Sequence, residues 1–191
     1  MNIKKLDLLI ISGLFSNLFY SIAYPIIHIK CMQDISSNFM SLSQLISCFL
    51  AIIISQAWIK HSDKLYKTFG ISLVLECALF GALLILFLLG FVTPKIYYIV
   101  DCILSATITR NIINGGCRLK AIRYKNKDRE LYDHKNTVMC NTASICGFLF
   151  SSLYVLPTNI AFILMFIGVS VDNLFYYIVY KNTNKNYNYK E

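Results

Sequence analysis

Six long apolar stretches dominate this sequence of 191 residues and constrain its fold more than any other feature. They cover residues 8–29, 38–59, 70–91, 96–117, 137–156 and 160–180. A helix that crosses a bilayer needs about 20 mostly apolar residues, and each stretch has that length. Hydrocarbon offers the backbone no hydrogen-bond partners, so such segments must satisfy their own backbone groups as helices. We therefore predict an all-α integral membrane protein with six transmembrane helices within residues 1–180, followed by a disordered tail at 181–191.

The basic residues are distributed unequally between the two sides of this arrangement. With six spans both termini lie on one side, which receives 15 of the 18 lysine and arginine residues. The other side receives only Lys30 and Lys95, and Arg110 lies within a span. Positively charged connections stay in the cytoplasm, so we expect a plasma-membrane protein with cytoplasmic termini. This topology accounts for the net charge of +8, and nucleic-acid binding is not predicted.

The number of spans also suggests an internal repeat. Spans 1–3 and spans 4–6 form two groups of three helices. Because three is odd, the two groups would have opposite orientations in the membrane. Inverted repeats of this kind are common in secondary transporters. We therefore expect two inverted three-helix repeats.

Several ionisable and amide side chains lie inside the predicted spans. Such residues are Asn17, Glu76, Arg110, Asp172 and Asn173. At a rise of about 1.5 Å per residue, all five lie about 9 to 13 Å from the cytoplasmic ends of their spans. A charge near the bilayer centre costs about 2.5–3.5 kcal/mol, so these groups should face the bundle interior. They are predicted to line a substrate or ion cavity, with Arg110 paired to Glu76 or Asp172. The alternative is an ion pair that only holds the helices together.

A further acidic residue, Asp101, lies on span 4 nearer the outer side. By the same rise per residue it is within about 7 Å of the helix end. At that depth a carboxylate can reach the membrane interface, and this is the position we expect for Asp101.

The connection between spans 2 and 3 carries an acidic-basic pair, Asp63 and Lys64, followed by Lys67. It resembles the signature G-x-x-x-D-[RK]-x-G-x-[RK]-[RK] of major facilitator superfamily transporters, with Ile59 and Tyr66 at the two glycine positions. The resemblance implies that Asp63 contacts the helix 4 region and stabilises one of the alternating states. Members of that superfamily have twelve spans, so this chain resembles their N-terminal half.

By this resemblance the chain is a half-size secondary transporter that moves a small solute or ion by alternating access, coupled to an ion gradient. A homodimer or a separately encoded partner would supply the other half. One alternative is the six-helix substrate-binding component of an energy-coupling-factor importer. Its helix 1 usually carries A-x-x-x-A, where this chain has Ser12, Gly13 and Ser16. Another is a non-transporting accessory or immunity protein, which needs no buried charges.

Enzymatic function is not predicted. The three histidines, His28, His61 and His134, are far apart in sequence. The sequence has no H-E-x-x-H, G-x-S-x-G or glycine-rich phosphate loop. The seven cysteines form no C-x-x-C pair, so neither a metal site nor a disulfide framework is expected. No cofactor is predicted.

Overall fold

The computed structural model describes residues 7–124, 127–154 and 156–186, and helices make up nearly all of this part of the chain. The helices are α1 (Leu8–Asp34), α2 (Ser37–Lys67), α3 (Phe69–Leu88), α4 (Pro94–Leu104), α5 (Arg110–Arg123), α6 (Lys127–Leu153) and α7 (Thr158–Asn186). A π-helical segment, Ser105–Thr109, joins α4 to α5 without a break, so these two helices form one continuous unit. The predicted all-helical class is confirmed.

Five helical units are long and apolar enough to cross a membrane. Their apolar ranges are Leu8–Lys30, Ser37–Lys67, Phe69–Leu88, Pro94–Arg123 and Thr158–Thr183. The remaining helix, α6, covers most of the predicted fifth span but begins ten residues before it and ends at Leu153, with charged and polar side chains in its first turns. A membrane protein is therefore supported by five of the six predicted spans, and the crossing by α6 stays a prediction.

Three segments predicted as loops or tail are helical. Residues 60–67 are helical apart from a kink at His61, where the backbone leaves helical geometry (φ −132°, ψ 31°). Much of 118–136 belongs to α5 and α6, and 181–186 extend α7. The rest of the predicted tail, 187–191, lies outside the described residues. Segments 60–67 and 118–136 contain many Lys and Arg residues, which have good helix propensity. In α6, Asp128 and Glu130 also occupy the first turn, where negative charge is favourable.

Helix α1 is the centre of the bundle, because it packs most extensively, along both α6 and α7. Its approach to α6 is close at Gly147, where an added Cβ would lie 2.7 Å from Ser21 Cβ and 2.8 Å from the Leu18 carbonyl oxygen. Nearer the start of both helices, Gly13 faces Cys140. The two contacts show that α1 and α6 run parallel, and that a larger side chain at position 147 would separate them.

The other helices form a second set of neighbours. Helix α3 packs on α7, while α2 packs along the continuous α4–α5 unit. Hydrogen bonds from Ser47 to Cys102 and from Trp58 to Asn111 show that α2 and this unit run parallel. Glu76 and Ser72 of α3 meet Thr109 and Asn111 in reverse order, so α3 runs antiparallel to them.

Two apolar clusters lie at opposite ends of the bundle. We call them the terminal cluster and the distal cluster. The terminal cluster lies at the end where the described chain begins and finishes, and contains Leu9, Ile10, Trp58, Tyr66, Phe69, Leu73, Ile112, Leu119, Tyr132 and Val179. The distal cluster contains Ala23, Ile27, Ile35, Met40, Leu83, Leu84, Tyr97, Tyr98, Ala161 and Phe162. Most of the buried polar side chains described below lie between them.

The π-helical segment changes the direction in which the following side chains point. A π-turn inserts one residue into an α-helix, and such turns are frequent at functional sites. Within it, the Thr107 hydroxyl donates to the carbonyl of Ile103 at 2.7 Å. Bonds of this type compete with the backbone ladder and often bend a helix. The segment therefore sets the orientation of Thr109, Arg110 and Asn111.

Candidate functional site

Glu76 on α3 is the centre of a hydrogen-bonded cluster inside the bundle. Its side chain is almost fully buried, with 5% of the residue exposed. Oε2 accepts a hydrogen bond from Asn173 Nδ2 on α7 at 2.6 Å, and Oε1 accepts one from the Thr109 hydroxyl. The structure thus brings together two of the predicted site residues, Glu76 and Asn173. It joins them to the π-helical segment through Thr109.

Asp172 belongs to a separate contact, although it precedes Asn173 in sequence. Its carboxylate accepts a hydrogen bond from the hydroxyl of Ser12 on α1, and Ser12 is completely buried. Asn17, one turn further along α1, donates to the carbonyl of Gly13 in its own helix at 2.7 Å. The predicted polar layer is therefore divided: Asp172 links α1 to α7, and Asn17 links no two helices.

Arg110 does not form the predicted ion pair. Its Nε donates to Ser55 Oγ on α2 at 3.0 Å, and neither Glu76 nor Asp172 lies within the 4.0 Å of an ion pair. The extra residue of the π-turn explains this orientation. Thr109 takes the position that faces Glu76, and Arg110 is turned toward α2 instead.

Other polar side chains escaped the sequence reasoning. Asn111 accepts from Trp58 Nε1 at 2.5 Å and donates to Ser72 Oγ at 2.6 Å, so it joins α2, α5 and α3. Ser12, Ser55 and Thr109 were also missed. Small polar residues are common in membrane helices. These residues can be identified only by their neighbours in the folded bundle. For Thr109 and Asn111, regular helical periodicity would also assign the wrong neighbours, because of the π-turn.

At the terminal end, Asp63 forms an ion pair with Arg118 of α5. The contact joins the last turns of α2 to the continuation of span 4, and both side chains are exposed, by 72% and 39%. Lys64 and Lys67 lie exposed in the last turn of α2, where positive charge is favourable. Of the three residues predicted in this connection, only Asp63 forms an ion pair with another described helix.

Asp7 ties the start of α1 to the end of α5. It caps α1 by accepting from the backbone N–H of Leu9 at 3.0 Å, and it pairs with Arg123 at 3.2 Å. The hydroxyl of Tyr124 donates to the same carboxylate. Burial, followed by the hydrogen bond to Asp7, raises the pKa of Tyr124. These contacts close the bundle at the terminal end.

A cavity of about 240 Å³ lies at the distal end, between α1, α2, α4 and α7. We call it the distal cavity. It is lined by Tyr24, Ile27, His28, Gln44, Ser47, Tyr97, Tyr98, Asp101, Cys102, Ser105 and Met165. Asp101 was expected to reach the membrane interface, but it lines this cavity instead. Its Oδ1 is buried and has no hydrogen-bond partner among the described residues.

The distal cavity and the Glu76 cluster lie at the two ends of the π-helical segment. Ser105, at the start of the π-helical segment, lines the cavity. Thr109, at the end of the same segment, contacts Glu76. In the described part of the chain, no group of three or more His, Cys, Asp and Glu side chains is arranged to hold a metal ion.

No protein-family model, curated protein or solved structure matches this chain.

Proposed function

We propose that this chain is a six-helix transport unit that moves a small solute across the plasma membrane by alternating access, as half of a major-facilitator-like transporter. The observation that carries the proposal is the distal cavity, in which Asp101 Oδ1 is buried without a hydrogen-bond partner among the described residues. A carboxylate is costly in a bilayer. A protein that only needed to span the membrane would gain nothing from a carboxylate beside an internal cavity.

The pattern of helix neighbours supports an inverted repeat. In an inverted repeat, α1 would correspond to the α4–α5 unit, α2 to α6 and α3 to α7. The contact of α1 with α6 would then correspond to the contact of the α4–α5 unit with α2. The pairing of α1 with α7 becomes that of the same unit with α3, and the pairing of α3 with α7 is unchanged. All of these pairs are in contact. Transporters with inverted repeats bind their solutes between the repeats, and the distal cavity is lined by α1 and α2 of one repeat and by α4 and α7 of the other.

The two ends of the bundle differ as alternating access requires. The distal end contains a cavity, and two of its lining residues, Tyr24 and Gln44, are exposed. The terminal end is filled by the terminal cluster and fastened by the pairs Asp63–Arg118 and Asp7–Arg123. The contact of Asp63 with α5 is also the one that the resemblance implies for this aspartate. We infer that this conformation is closed at the terminal, cytoplasmic end.

The packing of α1 favours a transporter over the importer component. That component would present small residues of helix 1 to its partner. Here Ser12 is buried against Asp172, Gly13 faces α6, and the Ser16 carbonyl lies near Gly168 of α7. The small-residue face of α1 is therefore used inside the bundle. A homodimer or a separate partner half would complete the transporter, and a gradient, not a bound cofactor, would drive it.

Native cysteines offer a test of alternating access. Cys102 lines the distal cavity, and Cys140 lies beside Gly13 in the terminal half. Each is kept as the single cysteine in a background with serine at the other positions, and its rate of modification by a maleimide is measured in detergent. Asp63→Cys and Arg118→Cys, bridged beforehand by a short bis-maleimide, then hold the terminal end closed.

If the terminal end opens during the cycle, the bridge slows modification of Cys140 at least several-fold and leaves Cys102 reactive. Equal Cys140 rates with and without the bridge would indicate a static bundle and favour the accessory protein. The control carries both new cysteines, each capped by a monofunctional maleimide. Light scattering, corrected for bound detergent, then separates a homodimer from a monomer that needs a partner half.

A further inference from the structure

We propose that the distal cavity binds a small monovalent organic cation, held by the carboxylate of Asp101 and by the tyrosine rings that line the same cavity. The inference names the solute class of the proposed transport and rests on that function for its biological meaning. The binding itself can be measured without transport.

The charge of the cavity lining is the first argument. Asp101 is the one acidic residue among the lining residues, which include no lysine or arginine. Its buried Oδ1 lacks a partner in the described part of the chain. A buried carboxylate oxygen without a partner is costly, and a cation bound beside it would offset this cost through its opposite charge. His28 also lines the cavity, but it forms no ion pair with Asp101 in the structure.

The aromatic lining is the second argument. Tyr24, Tyr97 and Tyr98 line the same cavity as Asp101. Tyr24 is stacked between Tyr20 and His28, with ring centroids 5.0 and 5.4 Å away, so these neighbours hold its ring in place and cover its faces. Tyr97 is held edge-on by Phe87 and Phe162, at 5.5 and 4.6 Å. Rigid aromatic faces attract organic cations, above all alkylammonium groups.

The size of the cavity separates an organic cation from a metal ion. A Ca²⁺ or Mg²⁺ ion needs about six or more oxygen ligands at roughly 2.0–2.6 Å. The cavity has a volume of about 240 Å³ and presents one carboxylate. No metal-binding group of His, Cys, Asp and Glu exists among the described residues. Gln44 and Ser47 on the wall add groups that could bind a hydroxyl of the solute.

Cys102 makes the binding measurable, because it is a cavity residue whose thiol is only partly buried. In the single-cysteine protein, the rate of modification by N-ethylmaleimide is followed while choline or tetraethylammonium is added. Choline has a neutral isostere, 3,3-dimethylbutan-1-ol. We expect saturable protection by at least one of the cations and none by the alcohol at the same concentration.

Two variants locate the charge that is responsible. Asp101→Asn should weaken protection by at least about tenfold, since it removes the negative charge that attracts the quaternary ammonium group. Asp133→Asn, at an exposed carboxylate on α6, should leave protection unchanged and serves as the matched control. Thermal unfolding is measured for each variant first. If Asp101→Asn does not fold, the comparison of choline with its neutral isostere still shows whether binding requires a positive charge.

The proposal is overturned if neither cation protects Cys102, if the alcohol protects equally, or if Asp101→Asn binds as the parent does. Uptake of the protecting cation into proteoliposomes is measured separately. Protection without uptake would reject the transport function and retain the binding site. Slower modification of Cys140 after the terminal end is bridged, together with no protection of Cys102, would retain the proposed alternating access and reject the binding site.

Discussion

Two acidic side chains inside this bundle, Glu76 and Asp101, have opposite surroundings. Glu76 is closed in, and each of its oxygens accepts a hydrogen bond, from Thr109 and Asn173. Asp101 borders a cavity, and its buried Oδ1 has no partner in the described structure. A carboxylate whose acceptor capacity is used by the protein holds helices together. One whose capacity is left unused beside a space can bind something else.

The largest effect should follow the loss of Glu76. In Glu76→Leu, Thr109 and Asn173 remain buried without their acceptor, which costs about 1–3 kcal/mol for each group. Hydrogen bonds within membranes average about 0.6 kcal/mol, so the lower end of this range is the safer expectation. Unfolding in detergent should occur at a clearly lower temperature than for the parent. An unchanged unfolding temperature would mean that the cluster does not hold α3, α5 and α7 together.

Asp101→Leu should change stability in the opposite direction. Replacing a buried carboxylate that lacks a partner removes a desolvation cost of about 1 kcal/mol or more. The unfolding temperature should therefore stay equal or rise, while protection of Cys102 by organic cations disappears. A loss of stability as large as that of Glu76→Leu would remove the distinction between the two residues.

Arg110 provides an intermediate case. Its recorded partner is Ser55, so Arg110→Ala and Ser55→Ala should each cost about 0.5–1.5 kcal/mol. The double variant should cost less than the sum of the two, because both remove the same hydrogen bond. If Arg110 instead paired with Glu76, the coupling would appear in the Arg110→Ala/Glu76→Gln cycle. Thermal and denaturant unfolding of the parent and the five variants separates the two possibilities.

The smallest effect on stability is expected at the terminal ion pair. Asp63 and Arg118 are exposed, and such pairs contribute about 0–1 kcal/mol. Asp63→Asn should leave the unfolding temperature nearly unchanged but raise the modification rate of Cys140, because the terminal end opens more often. Exchange of the two charges, Asp63→Arg with Arg118→Asp, should restore the slow rate. If the modification rate of Cys140 stayed high after the exchange, the ion pair would have no part in holding the terminal end closed.

The sequence predicted the coarse fold because hydrophobic length alone determines it. Five spans have the composition expected, and Glu76 and Asn173 meet, since equal depth brings residues of neighbouring helices together. The pairing of Arg110 was wrong, because a π-turn cannot be read from periodicity and shifts the direction of every later side chain in that unit. Residues 60–67 were predicted as a connection, and the backbone does leave helical geometry at His61. The charged residues after this kink form further helical turns, which hydrophobic length alone cannot predict.

The π-helical segment offers a way to couple the two ends of the bundle. With α-helical geometry of about 3.6 residues per turn and 1.5 Å per residue, returning the inserted residue to the α-helix would turn α5 by about 100° and shift it by about 1.5 Å. That single movement would withdraw Thr109 from Glu76 and carry Arg118 away from Asp63. A solute in the distal cavity would contact Ser105, which is the first residue of the same segment. Binding of a solute in the distal cavity and opening of the terminal end would then be coupled by this rotation of α5.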